Sequence, residues 1–339
     1  MKHVLVAGGS GFIGSHMVDL LLAKGHTVTV VDSLVTGRAA NLMDARAEFG
    51  GGSASGPARL RIVNADIRDA VSLRNALGHE VRFDDIYNLA SPASPVDFAT
   101  MPIFILETAS IGHRNLLDLA REHSARILFA SSSEVYGDAE VHPQIESYYG
   151  NVNTVGHRSC YDEAKRFGES LTLAYQIEHG VQARMARIFN TYGPRMRPDD
   201  GRIIPNFFIQ ALQGEALTIY GEGTQTRSFC FAPDQVAGQF ALMQSDESRP
   251  VNVGNPIERT VLEIAKTINA LTGNTTPIRH LPLPQNDPKQ RRPNIERAKE
   301  TTGWAPVVSL EAGLQECLVY FKKELAARPE GIRARVLGL

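Results

Sequence analysis

A chain of 339 residues, 43% hydrophobic and 21% charged, can build one large core or two closely joined domains. A formal net charge of -2 offers no basic face for nucleic acid and no cationic surface for a membrane. Three cysteines, Cys160, Cys230 and Cys317, lack metal-ligand spacing, and their odd number argues against a disulfide framework; a reducing compartment and no metal site are expected. No apolar run reaches the length of a membrane span, and only Met1 and Lys2 precede the first apolar segment. No signal peptide is therefore expected, and a cytoplasmic location is.

The first half alternates strand and helix patterns. His3-Val4-Leu5-Val6-Ala7 is a short apolar run that ends in glycine, as a buried parallel strand does. Phe12 to Lys24 has helical periodicity and stops at Gly25; Thr27 to Asp32 is β-branched and predicts the second strand. Gly50 to Pro57 predicts a flexible surface loop. Further strands are predicted at 60–63, 86–90, 126–130 and 183–189, and helices at 103–122 and 161–179. Such alternation implies a parallel sheet with right-handed crossovers. After Phe189, Pro194, Pro198 and Pro205 interrupt regular structure, and shorter elements follow, including helices at 261–271 and 310–325. This second half reads as a smaller mixed region covering the carboxyl edge of the sheet.

Gly8, Gly11 and Gly14 stand between the first strand and the first helix, spaced G-x-x-G-x-x-G. Glycines there let the backbone turn sharply and approach a pyrophosphate, whose charge the helix N-terminus favours. Asp32 ends the second strand, where a carboxylate can accept hydrogen bonds from an adenosine ribose and repel a 2′-phosphate. The pattern predicts NAD rather than NADP, with Arg38 as the residue that could offset the repulsion. The plainer alternative is a tight turn in which Asp32 caps the next element. Asp66 follows the third strand and could meet adenine or cap a helix.

Tyr161 and Lys165 lie one helical turn apart on one face. A tyrosine with a pKa of about 10 is a poor base near neutrality, and a nearby ammonium stabilises its anion. Tyr161 could then take a proton from a substrate alcohol as hydride leaves for the nicotinamide. Ser131, Ser132 and Ser133 end a predicted strand; Ser132 is the expected partner of the substrate oxygen, the alternative being simple turn chemistry.

Together, the glycine loop, Ser132-Ser133-Glu134-Val135-Tyr136-Gly137 and Tyr-x-x-x-Lys resemble the extended short-chain dehydrogenase/reductase family, in its branch acting on nucleotide sugars. A narrower resemblance lies in Leu89-Ala90-Ser91-Pro92, Cys160-Tyr161-Asp162-Glu163, Asn190-Thr191-Tyr192-Gly193-Pro194-Arg195, Gln225-Thr226-Arg227 and residues 287–293. These segments are similar to the UDP-glucuronate decarboxylases of that family. The resemblance implies an α/β fold: a Rossmann-type doubly wound parallel sheet with a smaller mixed α/β C-terminal substrate domain. The expected division is an NAD-binding domain over 1–189, with segments of 225–255 returning to it, and a mainly substrate-binding domain over 190–330.

The family's NAD site carries over to Gly8, Gly11, Phe12, Ile13, Gly14, Asp32, Ser33, Thr36, Gly37, Asp66, Ile67, Leu89, Ser91, Thr108, Tyr161, Lys165, Thr191 and Arg202. Its nucleotide-sugar contacts carry over to Ser94, Ser132, Tyr161, Asn190, Arg227 and Arg291, with Tyr161, Lys165, Ser132, Glu134 and Arg291 in catalytic roles. The activity implied is transient oxidation at C4 of a UDP-linked uronic acid, loss of the carboxylate from C5, and re-reduction. Ser133 before Glu134 sets the chain apart from the 4,6-dehydratases, which carry an aspartate there, and Glu134 from the 4-epimerases; both remain alternatives, as does a non-catalytic NAD-binding scaffold. A homodimer through the helices at 103–122 and 161–179 is implied too. One segment departs from the family: Glu107-Thr108-Ala109 replaces Lys-Thr-Asn. A negative charge beside an anionic substrate repels it, so either the sugar acid is a modified one or another residue compensates.

Overall fold

The computed structural model describes residues 1–51, 58–282, 290–328 and 331–335. Most of the loop expected at 50–57, and the 287–289 portion of the last motif, lie outside the described residues. Six strands, β1 (His3–Ala7), β2 (Thr27–Asp32), β3 (Leu60–Asn64), β4 (Asp85–Asn88), β5 (Arg126–Ser132) and β6 (Ala183–Ile188), form a parallel sheet in the order 3-2-1-4-5-6. A seventh strand, Pro250–Val253, extends the sheet beyond β6. This is the doubly wound α/β sheet expected from the alternation, reversing direction between β1 and β4, and such a reversal opens a crevice at the carboxyl ends of the strands.

Alternation along each strand sends side chains to two cores. Val4, Val6, Val28 and Val30 pack on one face with Met17, Val18 and Leu21 of helix α1 (Phe12–Ala23). Leu5, Ala7 and Val31 pack on the other with Leu116, Leu117 and Ala120. Strands buried on both faces read as unbroken apolar runs, which is why β1 and β2 were placed correctly from sequence. A third core gathers Phe207, Phe208, Ile264, Leu314 and Phe321 from the C-terminal helices.

Two expected elements differ in detail. The strand predicted at 86–90 ends at Asn88, and Leu89 and Ala90 turn into the crevice wall. The helix predicted at 103–122 is two helices, Pro102–Glu107 and His113–His123, joined by a π turn at Thr108–Gly112. Apolar periodicity cannot register such a turn because the chain stays helical through it. Among the described residues no helix is long and apolar enough to cross a membrane.

Candidate active site

A crevice of about 500 Å³ lies beyond β1, β2 and β4 and is lined by Gly8, Gly11, Asp32, Ser33, Thr36, Gly37, Asp66, Ile67, Leu89, Ser91 and Thr108, among others. Eleven residues expected at a cofactor site thus share one cavity. Gly8 has φ +76, and a side chain there would meet the Ala90 backbone at 2.7 Å. A Cβ at Gly14 would lie 2.0 Å from the Gly8 carbonyl oxygen. No side chain caps α1 at Gly11, so the amides of Phe12 and Ile13 open toward the glycine turn. Asp32 is 9% exposed and accepts from the Ser10 N–H at 2.9 Å and the Leu34 N–H at 2.8 Å. Burial pushes its carboxyl up and those two bonds pull it back. Glycine at 37 is required, because a Cβ there would stand 2.6 Å from Asp32 Oδ1. Arg38 is taken up by Glu324 at 2.8 Å and by the Tyr320 hydroxyl at 3.0 Å, so its charge does not offset Asp32. These features fit NAD: an amide-lined turn for a pyrophosphate and a carboxylate for a ribose.

Asp66 turns back to Arg68, accepting at 2.8 Å from Nη2 and 3.0 Å from Nε. Arg68 in turn lies 3.9 Å over the Phe104 ring and pairs with Glu107 at 2.6 Å. Of the two alternatives for Glu107, this favours compensation by another residue: Arg68, which it shares with Asp66, pairs with it beside the nucleotide crevice that Phe104 and Thr108 line.

The helix Ser159–His179 presents Tyr161 and Lys165 to the carboxyl end of β5. Both are buried, and Tyr161 stacks on Phe98 with ring centroids 4.8 Å apart. Lys165 donates to the Ala130 carbonyl at 2.8 Å, with Nζ 5.4 Å from the Tyr161 ring centroid. Ser132 stands near enough to the Tyr161 phenol to pull it down, whereas Ser131, one residue back along the strand, points to the opposite face and donates to Glu169 at 2.6 Å. Ser133 contributes its carbonyl, which accepts from Arg291. In the ligand-free protein Lys165 does not by itself make the phenol basic. Burial pushes Tyr161 up to about 12, against the pull of Ser132, and pulls Lys165 down to about 7.

Glu134 completes the centre. Burial alone would raise its carboxyl; Arg158 at 2.8 Å and Arg291 at 3.2 Å outweigh that and hold it at about 2. Arg227, also buried, adds its charge from the neighbouring strand Thr226–Ser228. The remaining expected residues have structural duties as well. Ser94 caps the short helix Pro95–Thr100 and donates to the Asp200 carbonyl, and Arg202 pairs with the Asp200 carboxylate, its Nη2 at 2.8 Å. Thr191 donates to the Phe189 carbonyl at 2.9 Å, and the Asn190 carbonyl accepts from Cys230 at 2.9 Å. Arg158 and Asp162 were not read as site residues from the sequence. Their position on either side of Tyr161, Arg158 at the N-cap and Asp162 in the first turn of its helix, was the available signal.

The arrangement is a buried tyrosine and lysine beside a crevice shaped for a dinucleotide, with a cluster of arginines on Glu134, of which Arg227 and Arg291 are buried. Comparison with known proteins agrees. Residues 4–254 match the NAD dependent epimerase/dehydratase family, and the chain belongs to that family. UDP-glucuronic acid decarboxylase 1 of Danio rerio is 48% identical over 324 residues, which cover 96% of this chain and 73% of that protein. The crystal structure of a UDP-glucose 4-epimerase from Thermotoga maritima, with UDP-glucose, superposes with a TM-score of 0.85 at 28% identity, covering 95% of this chain and 99% of that one. A dTDP-glucose 4,6-dehydratase from Streptomyces venezuelae, solved with NAD bound, has a TM-score of 0.84 at 27% identity over 96% of this chain and 99% of its own.

Proposed function

We propose that the protein converts UDP-glucuronate to UDP-xylose and carbon dioxide, as an NAD-dependent carboxy-lyase. The observation that carries this reading is the juxtaposition of Tyr161 and Ser132 with Glu134, Arg291 and Arg227: a hydroxyl-handling pair beside buried guanidinium groups suited to an anionic sugar. NAD, held by the Gly8–Gly14 turn and Asp32, would supply a reversible hydride acceptor for C4 of the sugar.

Tyr161 takes the proton of the C4 hydroxyl while Ser132 holds that oxygen. A positive charge arriving near the phenol favours its anion, offsetting the burial that keeps it neutral in the ligand-free protein. Once C4 is a ketone, the C5 carboxylate stands β to it. Carbon dioxide leaves as electrons move into an enolate whose oxygen Tyr161 and Ser132 stabilise by hydrogen bonds. Arg291, only 2% exposed and fixed by Ser133 and Glu134, orients the carboxylate. C5 then takes a proton, and Tyr161 returns its own to the C4 oxygen as the hydride that bound NAD would give back reduces the C4 ketone. Glu134, ionised between its arginines, positions water or the sugar ring near C5.

The same proposal gives 1–189, with segments of 225–255, to the cofactor and 190–330 mainly to the sugar nucleotide; the pairing of the strand Pro250–Val253 with β6 supports it. A homodimer is part of the proposal. Ile103 on the helix Pro102–Glu107, Ile111 in the π turn after it, and Phe167 and Ile177 on the helix Ser159–His179 are exposed, Ile177 at 78%, and exposed apolar side chains on these segments suit a four-helix contact with a second copy. A cytoplasmic site of action is the matching expectation for three free, buried cysteines. Incubation with UDP-glucuronate and product analysis by NMR test the activity. A pentose nucleotide with carbon dioxide supports it; UDP-galacturonate alone would move the chain to the epimerases.

A further inference from the structure

Asp162 has no task in the reaction above. It follows Tyr161 in the first turn of the catalytic helix, where the helix dipole favours a carboxylate. Yet it is 6% exposed, and its Oδ1 meets no hydrogen-bond donor among the described residues. Charged groups face it from every side: Glu134 from the turn after β5, Arg158 from the lead-in to the helix, Arg291 from the strand Gln290–Arg291, and Glu163 from its own helix. Tyr161 is adjacent, and Arg227 stands behind Glu134.

The charges of this group nearly balance. Arg158, Arg291 and Arg227 supply three positive charges, the first two engaging Glu134 directly, at 2.8 Å and 3.2 Å. Glu134, Glu163 and, when ionised, Asp162 supply three negative ones. A uronate carboxylate entering beside Arg291 adds a further negative charge in a buried setting, where an unmatched charge is costly. A proton on Asp162 removes the surplus. We propose that Asp162 takes up one proton from solvent when the sugar carboxylate enters, so that the Glu134–Arg158–Arg291 cluster receives the anion without excess negative charge. Only an O–H bond forms, the proton coming from water or buffer; Asp162 acts through its neighbours as a positioning residue. Burial first, and the charge of Glu134 second, push its carboxyl up to about 7, so the group is poised to change state near neutrality. The proposal rests on the decarboxylase reading.

Titration calorimetry on NAD-loaded Tyr161→Phe protein, with turnover slowed about 10²- to 10⁴-fold, tests it in buffers of different ionisation enthalpy. Near pH 8, UDP-glucuronate should bind with uptake of about one proton, and UDP-xylose, which lacks the carboxylate, with close to none. Above pH 7 the Kd for UDP-glucuronate should rise by up to about tenfold per pH unit. Adding Asp162→Asn, which mimics the protonated form, should abolish the uptake and flatten that rise. Equal uptake with both nucleotides, or uptake that survives Asp162→Asn, overturns the proposal; should the double variant fail to fold, the comparison of nucleotides decides alone. Binding without proton uptake sinks this proposal only, whereas failure to bind either nucleotide sinks the decarboxylase reading as well.

Discussion

Gly14→Ala places the added carbon 2.0 Å from the Gly8 oxygen, 2.8 Å from the Gly8 carbonyl carbon and 2.9 Å from Gly9 Cα. All three neighbours are backbone, so no side chain can swing aside. Ordinary contact begins at 3.4 Å, which forces the glycine turn and α1 about 1.4 Å apart. Overpacking of this kind costs about 1–3 kcal/mol of folding stability. The same movement displaces the amides that face the pyrophosphate. Loss of one charge-assisted hydrogen bond, worth about 1.5–3 kcal/mol, weakens NAD binding roughly 10- to 150-fold. The assay is the NAD content of purified protein, read after acid release, together with Tm with and without added NAD. Gly25→Ala is the control: it has φ +83 but nothing within 4 Å, so it should cost about 1–2 kcal/mol of backbone strain and leave NAD content as in the wild type. Gly14→Ala protein that carries stoichiometric NAD at an unchanged Tm would refute the assignment of the turn.

Three further outcomes are expected. Tyr161→Phe should lower kcat by about 10²- to 10⁴-fold, the usual contribution of a positioned acid–base group, while retaining NAD; near-normal turnover would remove Tyr161 from the chemistry. His113 is buried, accepts from Asn88 at 3.0 Å and donates to Thr172 at 2.8 Å, whose own hydroxyl is given to Gly168; burial first, then the Lys165 charge, pull the imidazole down to about 3. An unfolded histidine takes up its proton near 6.5, so the unfolded chain binds more protons between the two values. This stabilisation is present above pH 6.5 and is lost as pH falls; urea midpoints should drop between pH 7 and 5, and drop less in His113→Gln. Equal slopes would contradict the assignment of His113. Phe167→Glu, which charges one of the exposed apolar side chains, should shift sedimentation from dimer to monomer; an unaltered sedimentation coefficient would place the dimer contact elsewhere.

The sequence announced what is local or periodic. β1 and β2 were legible because strands buried on both faces are unbroken apolar runs. The glycine turn and the Tyr161–Lys165 pair each span only a few residues, and Asp32 ends the very next strand. Ser131 and Ser132 part in the structure because a strand alternates its faces. What stayed hidden depends on contacts between distant segments. Arg158 and Arg291 meet on Glu134 across more than a hundred residues of chain, and no spacing rule links them. Glu107 looked like a bare negative charge because its partner, Arg68, lies 39 residues upstream. Lys165 was expected to prime Tyr161, but burial, which no motif encodes, moves both groups toward their neutral forms.

The most direct test of the account follows the hydrogen on C4. UDP-glucuronate deuterated at that position, turned over in ordinary water, should yield one carbon dioxide per UDP-xylose, with the deuterium back on C4 and solvent hydrogen on C5. Deuterium lost from C4, or a sugar nucleotide that keeps its carboxylate, would contradict it.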